Sequence, residues 1–322
     1  MNKTWLIIKR EYITRVRNRT FIISTLLTPL FFVGLIAAIV MMNPDEKSLP
    51  DSISDQKVKE TVAKNERSGI AYAVGYTSSF LIYITILIYG TMVMRGVSEE
   101  KTNRIAEIII SSVKPFQLMM GKIIGIGAVG LTQFFIWIVL VLIFALVLFN
   151  FLPAEILNEA QRQGSQPSGD LSMKLASVNF PLIISCFLFY FIFGYLFYAS
   201  LFAAVGSAVS EDSQDTQSLM MPVTMPIILA IVIMVQVIVH PTSSMATWSS
   251  MIPFFSPVVM MARVPFGVPG TVPVWELLAS MVLLVAGFLF TTWLSAKIYR
   301  TGILLYGKKI TWKEMWKWSF RS

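Results

Sequence analysis

Residues 123–151 read IIGIGAVGLTQFFIWIVLVLIFALVLFNF, without one Asp, Glu, Lys, Arg or His. An uninterrupted apolar run of roughly 20 residues or more is long enough to cross a bilayer as a helix. Comparable runs occur at about 20–42, 70–94, 180–209, 219–239 and 274–296. Six spans are therefore expected, several of them long enough to tilt or to continue beyond the membrane. Composition agrees. Of 322 residues, 55% are hydrophobic and 14% charged, with a mean hydropathy of +0.69. A soluble domain has about a quarter of its residues charged. The expected fold class is an all-α integral membrane protein with six transmembrane helices. Its first span is read as uncleaved, because 19 mostly polar residues precede a run too long for a signal peptide.

Orientation follows from the basic residues. Of the 26, 18 fall in the N-terminus, the loop between the second and third spans and the C-terminus, and eight fall on the other side. Loops rich in Lys and Arg stay in the cytoplasm, so both termini are predicted there. The net charge of +8 thus reads as a topology signal suited to anionic lipid, not as a nucleic-acid surface.

The divisions expected along the chain are an interfacial helix at 1–19, the first span at 20–42, an external segment at 43–69, five further spans within 70–296 and a basic, Trp-rich tail at 297–322. In the first helix Trp5, Ile8, Tyr12 and Val16 form an apolar stripe flanked by Lys and Arg. The segment 161–170 (QRQGSQPSGD) reads as a flexible external loop. Residues 240–273 differ, holding six prolines among Trp248, Phe254, Phe255 and Phe266. So apolar a connection is expected to dip into the interface or re-enter the bundle, where protein can satisfy its backbone. Small residues (Gly121 with Gly125, and Gly194, Ala199, Ala203 and Gly206) offer faces for close helix packing. Pro222 and Pro226 are expected to kink the fifth span.

Several chemistries are excluded or disfavoured. A single cysteine (Cys186) and a single histidine (His240) leave no disulfide framework and no thiolate or imidazole metal cluster. The interiors of the six spans are read as free of ionisable residues, which disfavours an ion-coupled secondary transporter. No paired nucleophile and base marks an intramembrane enzyme. Gly302, Gly307 and Lys308 stand at the spacing of a phosphate loop, but Lys309 replaces the Ser or Thr that would bind magnesium, and the segment follows a membrane helix. Energy is therefore expected from a partner on the cytoplasmic side. A non-transporting membrane scaffold is the bland alternative.

Between the second and third spans, residues 95–122 read RGVSEEKTNRIAEIIISSVKPFQLMMGK. Ser98 is placed to cap a helix over 97–112, with Glu99 and Glu100 in its first turn. Glu100, Asn103, Arg104, Glu107 and Ser111 would share a polar face, and Val97, Ile105, Ile108 and Ile109 an apolar one. Glu100 and Arg104 would pair at i,i+4, and Pro115 would end the helix. The connection SEDSQDTQS at 210–218 carries Glu211, Asp212 and Asp215 with no basic residue, suiting a basic partner surface.

The run MRGVSEEKTNRIAEIIISSVKPFQLMMGKIIG at 94–125 resembles the bacterial ABC-type exporter permeases of the type-2 class, in the NatB-like sodium-efflux group. The N-terminal IIKREYITRVRNRTFIISTLLTP, then GSAVSEDSQDTQS, IPFFSPVVMMARVPFG and AKIYRTGILLYGKK, follow the same family in the same order. The resemblance implies an exporter permease that pairs with a separate ABC ATPase subunit and with a second permease copy, as a homodimer or heterodimer. ATP and magnesium would belong to the ATPase, with no cofactor on this chain. It implies that 97–112 is the coupling helix, 1–19 the connecting helix and 210–218 a second coupling turn. The ATPase-coupling residues expected are Glu99, Glu100, Arg104, Glu107, Glu211, Asp212 and Asp215. The expected location is the bacterial inner membrane. One departure is the segment 43–69, which stands where relatives usually carry a folded external domain.

Overall fold

The computed structural model describes residues 3–19, 21–23, 25–27, 29, 56–151, 179–209, 213–305 and 311–319. Among these every regular element is helical. In chain order they are α1 (Lys3–Val16), α2 (Gln56–Thr102), α3 (Ile105–Ile110), α4 (Pro115–Phe151), α5 (Phe180–Ala208), α6 (Ser213–Val239), α7 (Ser244–Met251), α8 (Ser256–Arg263), a short 3-10 turn (Val264–Phe266), α9 (Val274–Gly302) and α10 (Trp312–Ser319).

Five described helices contain stretches long and apolar enough to span a bilayer: Ala71–Thr102, Pro115–Phe144, Phe180–Ala208, Thr216–Val239 and Val274–Gly302. They correspond to the second to sixth spans of the sequence reading. Most of the first span lies outside the described residues. So do Arg162, Lys174 and the loop at 161–170.

The chain divides into two compact units. The smaller contains Ile13–Ile70 and Val129–Val178. Within it the Thr25 hydroxyl turns back onto the Phe21 carbonyl at 2.6 Å, and the Trp137 indole donates to the Thr25 carbonyl at 3.0 Å. The larger unit contains Met1–Tyr12, Ala71–Ala128 and Asn179–Ser322. Its centre is the pairing of α5 with α9. The face of α5 carrying Tyr190, Phe197, Ser200 and Ser207 is buried. Along the interface, Ser200 Oγ donates to Thr291 Oγ1 at 2.9 Å and Tyr190 Oη to Ser280 Oγ at 3.1 Å. Asn179 and a proline in the first turn start α5, with the Asn179 side chain accepting from the Leu182 amide.

Part of the Pro-rich segment 240–273, Ser256–Arg263, packs into the bundle, one of the two placements its apolarity allowed. Every residue of α8 is buried. Ala246 of α7 and Val259 of α8 form a core with Ile233 and Val237 of α6. Gly194 of α5 makes room for this hairpin, since a Cβ there would lie 2.7 Å from the Pro257 ring. The Tyr198 hydroxyl satisfies the Phe254 carbonyl at 2.6 Å. The backbone of α8 is thus covered by protein, the condition under which a re-entrant segment can be tolerated.

The apolar part of α2 begins at Ala71, where the second span was read, and the helix extends back to Gln56, into the segment assigned to 43–69. Two expectations are corrected. α2 runs without a break past Ser98 to Thr102, so no separate helix is capped there. α6 includes Ser213 onward, so residues 213–218 of the stretch read as a turn are helical. The same helix continues through Pro222 and Pro226.

Candidate functional site

Three segments distant in sequence meet around a buried ionic cluster: α1, the last turns of α2 and the first turns of α4. α1 reaches this position because α4 presents Gly121 and Gly125 one helical turn apart. A Cβ at Gly121 would lie 2.8 Å from Ile7, and one at Gly125 2.8 Å from the Glu11 Cβ. Glycine at both positions lets the two backbones approach closely, which sets Ile7 and Glu11 as the buried stripe of α1. The stripe read from the sequence was Trp5, Ile8, Tyr12 and Val16. Trp5, on that other face, is exposed, as a residue meant for the membrane interface can be. The i,i+4 pair that packs is Ile7 with an acid, a pattern that a search for apolar periodicity passes over.

Glu11 and Glu100 face each other's cations. Lys122, 2% exposed, sits 3.4 Å from Glu11 Oε1 and 3.1 Å from Glu100 Oε2. The contact to Glu100 is an ion pair outside hydrogen-bonding angle. The ammonium also donates to the Gly96 carbonyl at 3.0 Å. Arg10 closes the cluster, bonding Glu11 Oε1 at 2.9 Å and pairing with Glu100 Oε1. Two carboxylates therefore meet two cations, and the formal charge cancels. Such pairing is what permits charges to be buried at all. Burial lowers the Arg10 pKa, but hydrogen bonds and charge from Glu11 and Glu100 outweigh it, so the net shift is upward.

A second tie lies one residue on. Lys101, 4% exposed, donates from Nζ to the Ser207 carbonyl at 2.6 Å. Ser207 is in the last turn of α5, where carbonyls lack helical partners and a cation is favoured. Gly302, in the last turn of α9, packs on the same serine, with 2.8 Å between a notional Cβ and Ser207 Oγ. The glycine that began the phosphate-loop look-alike is therefore a helix-packing residue. Gly307 and Lys308 lie outside the described residues. At Gly206 a Cβ would lie 2.5 Å from the Met94 carbonyl oxygen, so α2 and α5 touch through backbone there.

Next to this buried tie the chain turns a corner. α2 ends at Thr102, and Arg104 adopts φ 55°, the left-handed region that non-glycine residues rarely visit. α3 then follows for six residues. The single amphipathic helix expected over 97–112 is thus two helices at a corner. Its expected polar face does not survive. Glu100 is turned inward to Lys122 and Arg10. The end of α2 removes the i,i+4 geometry between Glu100 and Arg104. The apolar face divides as well, with Val97 fully buried while Ile105 and Ile108 are 41% and 74% exposed.

Of the other expected coupling residues, Glu99 and Arg104 are exposed beside the corner. Glu107 lies in α3 and Asp215 in the first turn of α6, their side chains outside the described residues, as are Glu211 and Asp212 entirely. The residues missed by sequence reasoning are Arg10, Glu11, Lys101 and Lys122. Glu11 was legible as a lone acid in a basic helix, and Lys122 as a lysine at the threshold of an apolar run.

The expectation of charge-free spans fails at one point. Glu276 lies in the first turn of α9, inside the span read from 274, and is buried. Its partner is Arg263 at the end of α8, 1% exposed, at 2.8 Å. Arg263 also donates from Nε to the Pro241 carbonyl at 2.9 Å and from Nη1 to Ser250 Oγ at 2.6 Å. Ser280 Oγ donates to the Ser250 carbonyl at 2.7 Å and accepts from Tyr190. The pair thus fastens the re-entrant hairpin to α9 and α5.

A family model described as "ABC-2 family transporter protein" matches residues 45–297. Among curated proteins, the chain is similar to the uncharacterized protein YhaP of Bacillus subtilis (strain 168), 30% identical over 266 residues. That match covers 83% of this chain and 59% of the relative. It is also similar to the uncharacterized protein MJ1024 of Methanocaldococcus jannaschii, 29% identical over 242 residues, covering 75% of this chain and 52% of that one. The chain therefore spans little more than half the length of these relatives. No solved structure matches. With a family match over most of its length and five described helices of membrane-crossing length and apolarity, the chain is a multi-pass membrane protein that belongs to the ABC-2 family of transporter proteins.

Proposed function

We propose that this chain is the permease subunit of an ATP-driven ABC exporter, and that the corner at 99–108 is where a separate ATPase subunit pushes on it. The observation carrying this reading is the juxtaposition of an exposed corner with a buried ionic tie. Ile108 and Ile105 stand out beside Glu99 and Arg104. Directly behind them Glu100 and Lys101 grip α1, α4 and α5. A displacement of the corner is thereby delivered to three other segments at once. Family membership supports the reading, since an ABC-2 membrane component is a transport subunit working with an ATPase.

In this reading the chain has six spans and both termini in the cytoplasm of a bacterial inner membrane. It works as two permease copies with two ATPases. The cargo is sodium or another small or amphipathic substrate, sodium entering only through the NatB-like resemblance. ATP and magnesium act on the partner.

The test is co-purification with a candidate ABC ATPase subunit of the same organism. Ile108→Asp with Arg104→Glu should weaken association by at least about ten-fold, as expected when an interface anchor is lost. Both residues are exposed, so thermal stability of the permease should hold. Wild-type association in a normally folded double variant would overturn the coupling role. ATP-dependent flux of sodium, peptides and drugs in vesicles holding both subunits then names the cargo. Orientation is tested by cysteines at Asn2, Ser165 and Ser322. Only Ser165→Cys should react with an impermeant reagent outside intact cells.

A further inference from the structure

Buried tyrosines in the larger unit differ in what their hydroxyls meet. Tyr190, Tyr195 and Tyr198 each donate inside the protein: to Ser280 Oγ at 3.1 Å, to the Ile123 carbonyl at 2.8 Å and to the Phe254 carbonyl at 2.6 Å. Tyr299 is 0% exposed, yet its hydroxyl has no hydrogen-bond partner among the described residues. Ser295 and Thr292, one and two turns earlier on the same face of α9, are buried and have no partner there either. Nearby hydroxyls turn back on their own helices, Ser207 to the Ala204 carbonyl at 2.7 Å and Thr291 to the Phe288 carbonyl at 3.1 Å. Thr292 and Ser295 do not. A buried hydroxyl left unpaired is costly, and three on one helix face call for a ligand.

That face leads to the ionic cluster. Gly302, in its next turn, packs on Ser207, whose carbonyl takes the Lys101 ammonium. Glu100 precedes Lys101, and Tyr299 lies within electrostatic reach of it. Glu100 Oε2 is buried and accepts no hydrogen bond among the described residues, because Lys122 approaches it outside hydrogen-bonding angle. A donor without an acceptor thus stands near an acceptor without a donor, beyond direct bonding distance. Polar groups so placed are commonly joined by water.

We infer that buried water occupies the face of α9 carrying Thr292, Ser295 and Tyr299, and that one molecule bridges Tyr299 Oη to Glu100 Oε2. Charge selects the occupant. Two carboxylates already meet two cations, so a metal ion would add charge that nothing balances, and an anion would face Glu11 and Glu100. Water is neutral, accepts from the phenol and donates to the carboxylate, and when buried makes about three hydrogen bonds. The bridge adds α9 to the segments that Glu100 ties together. It can re-form as the joint moves, without stranding a charge. The inference rests on this geometry and not on the exporter reading.

The test is X-ray radiolytic labelling of the full chain in mild detergent, in water carrying a heavy oxygen isotope, read residue by residue by mass spectrometry. X-rays split a bound water where it sits, and the radical marks the side chain beside it. Tyr299 should take up label while Tyr190 and Tyr198, as deeply buried but with satisfied hydroxyls, stay at background. Tyr299→Phe keeps a reactive ring and removes the hydroxyl, so label on that ring should fall to the Tyr198 level. Ser295→Ala should lower label at Tyr299, and Ser185→Ala, exposed near the start of α5, should leave it unchanged. Label at Tyr299 no higher than at Tyr190 and Tyr198 would overturn the site, and that comparison needs no variant. Undiminished label in both Tyr299→Phe and Ser295→Ala would overturn it too, since water there would not depend on these hydroxyls.

Discussion

The two ends of α9 bury charge in different ways. At its first turn Glu276 meets one arginine, and every donor group of Arg263 with a named contact is spent on one neighbourhood: a carbonyl, a serine and a carboxylate. At its last turns Tyr299 lies within electrostatic reach of Glu11 and Glu100, where two carboxylates share two cations, the four groups coming from three segments. Arg263 is 1% exposed, whereas the Arg10 side chain is 49% exposed. The first arrangement has one low-energy form. The second has a member in water, and its carboxylates can exchange partners without losing both cations. A closed pair suits a part that must stay put, here the re-entrant hairpin. A shared cluster suits a joint that must carry motion.

The largest expected effect breaks the closed pair. Glu276→Ala should destabilise the chain by about 3–5 kcal/mol, the usual cost of stranding one partner of a buried ion pair. Thermal unfolding in detergent measures it. Arg263→Met with Glu276→Leu should recover most of that loss, because no charge is then stranded. A double variant as unstable as the single one would show that Arg263 matters for its serine and carbonyl contacts instead.

Lys122→Met should cost less, about 2–3 kcal/mol, because Arg10 remains to compensate Glu11 and Glu100 from the solvent side. If its cost equals that of Glu276→Ala, the two sites do not differ as described. Gly125→Leu should cost about 1–2 kcal/mol through overpacking against Glu11 and the Ile8 backbone. On the proposed exporter reading its signature is functional: α1 should be displaced, and stimulation of ATP hydrolysis by a partner ATPase should fall further than stability does. The smallest effect belongs to Glu99→Gln on the exposed corner, within about 0.5 kcal/mol. A larger change would mean that the corner is part of the fold and not free for a partner.

Much of this architecture was legible in the sequence. Apolar runs located the five described spans, and Pro257 and Phe254 betrayed the re-entrant hairpin because no solvated loop is so apolar. The cluster was not legible, for a physical reason. A charge beside an apolar run reads as a boundary, and Lys122 and Glu276 were read so or passed over. Burying such a charge needs a partner from elsewhere in the chain, and a periodicity argument sees one segment at a time. Ser98 misled for a related reason. Its capping signal is local, while α2 keeps helix through it by burying Val97 and Glu100 on other segments.

Arg104 sets a limit on how far this protein can be improved by ordinary stabilising substitutions. It is the single non-glycine residue with positive φ among the described residues. A side chain in that conformation costs roughly 1–2 kcal/mol relative to a residue that tolerates it. Gly or Asn at the corner would relieve that strain. Arginine there places a guanidinium at the surface on a backbone conformation that favours another residue. A screen for thermostability should therefore find Arg104→Gly or Arg104→Asn early, and a screen for transport should discard both. Divergence between the two screens at one residue would locate the trade between robustness and work in this molecule.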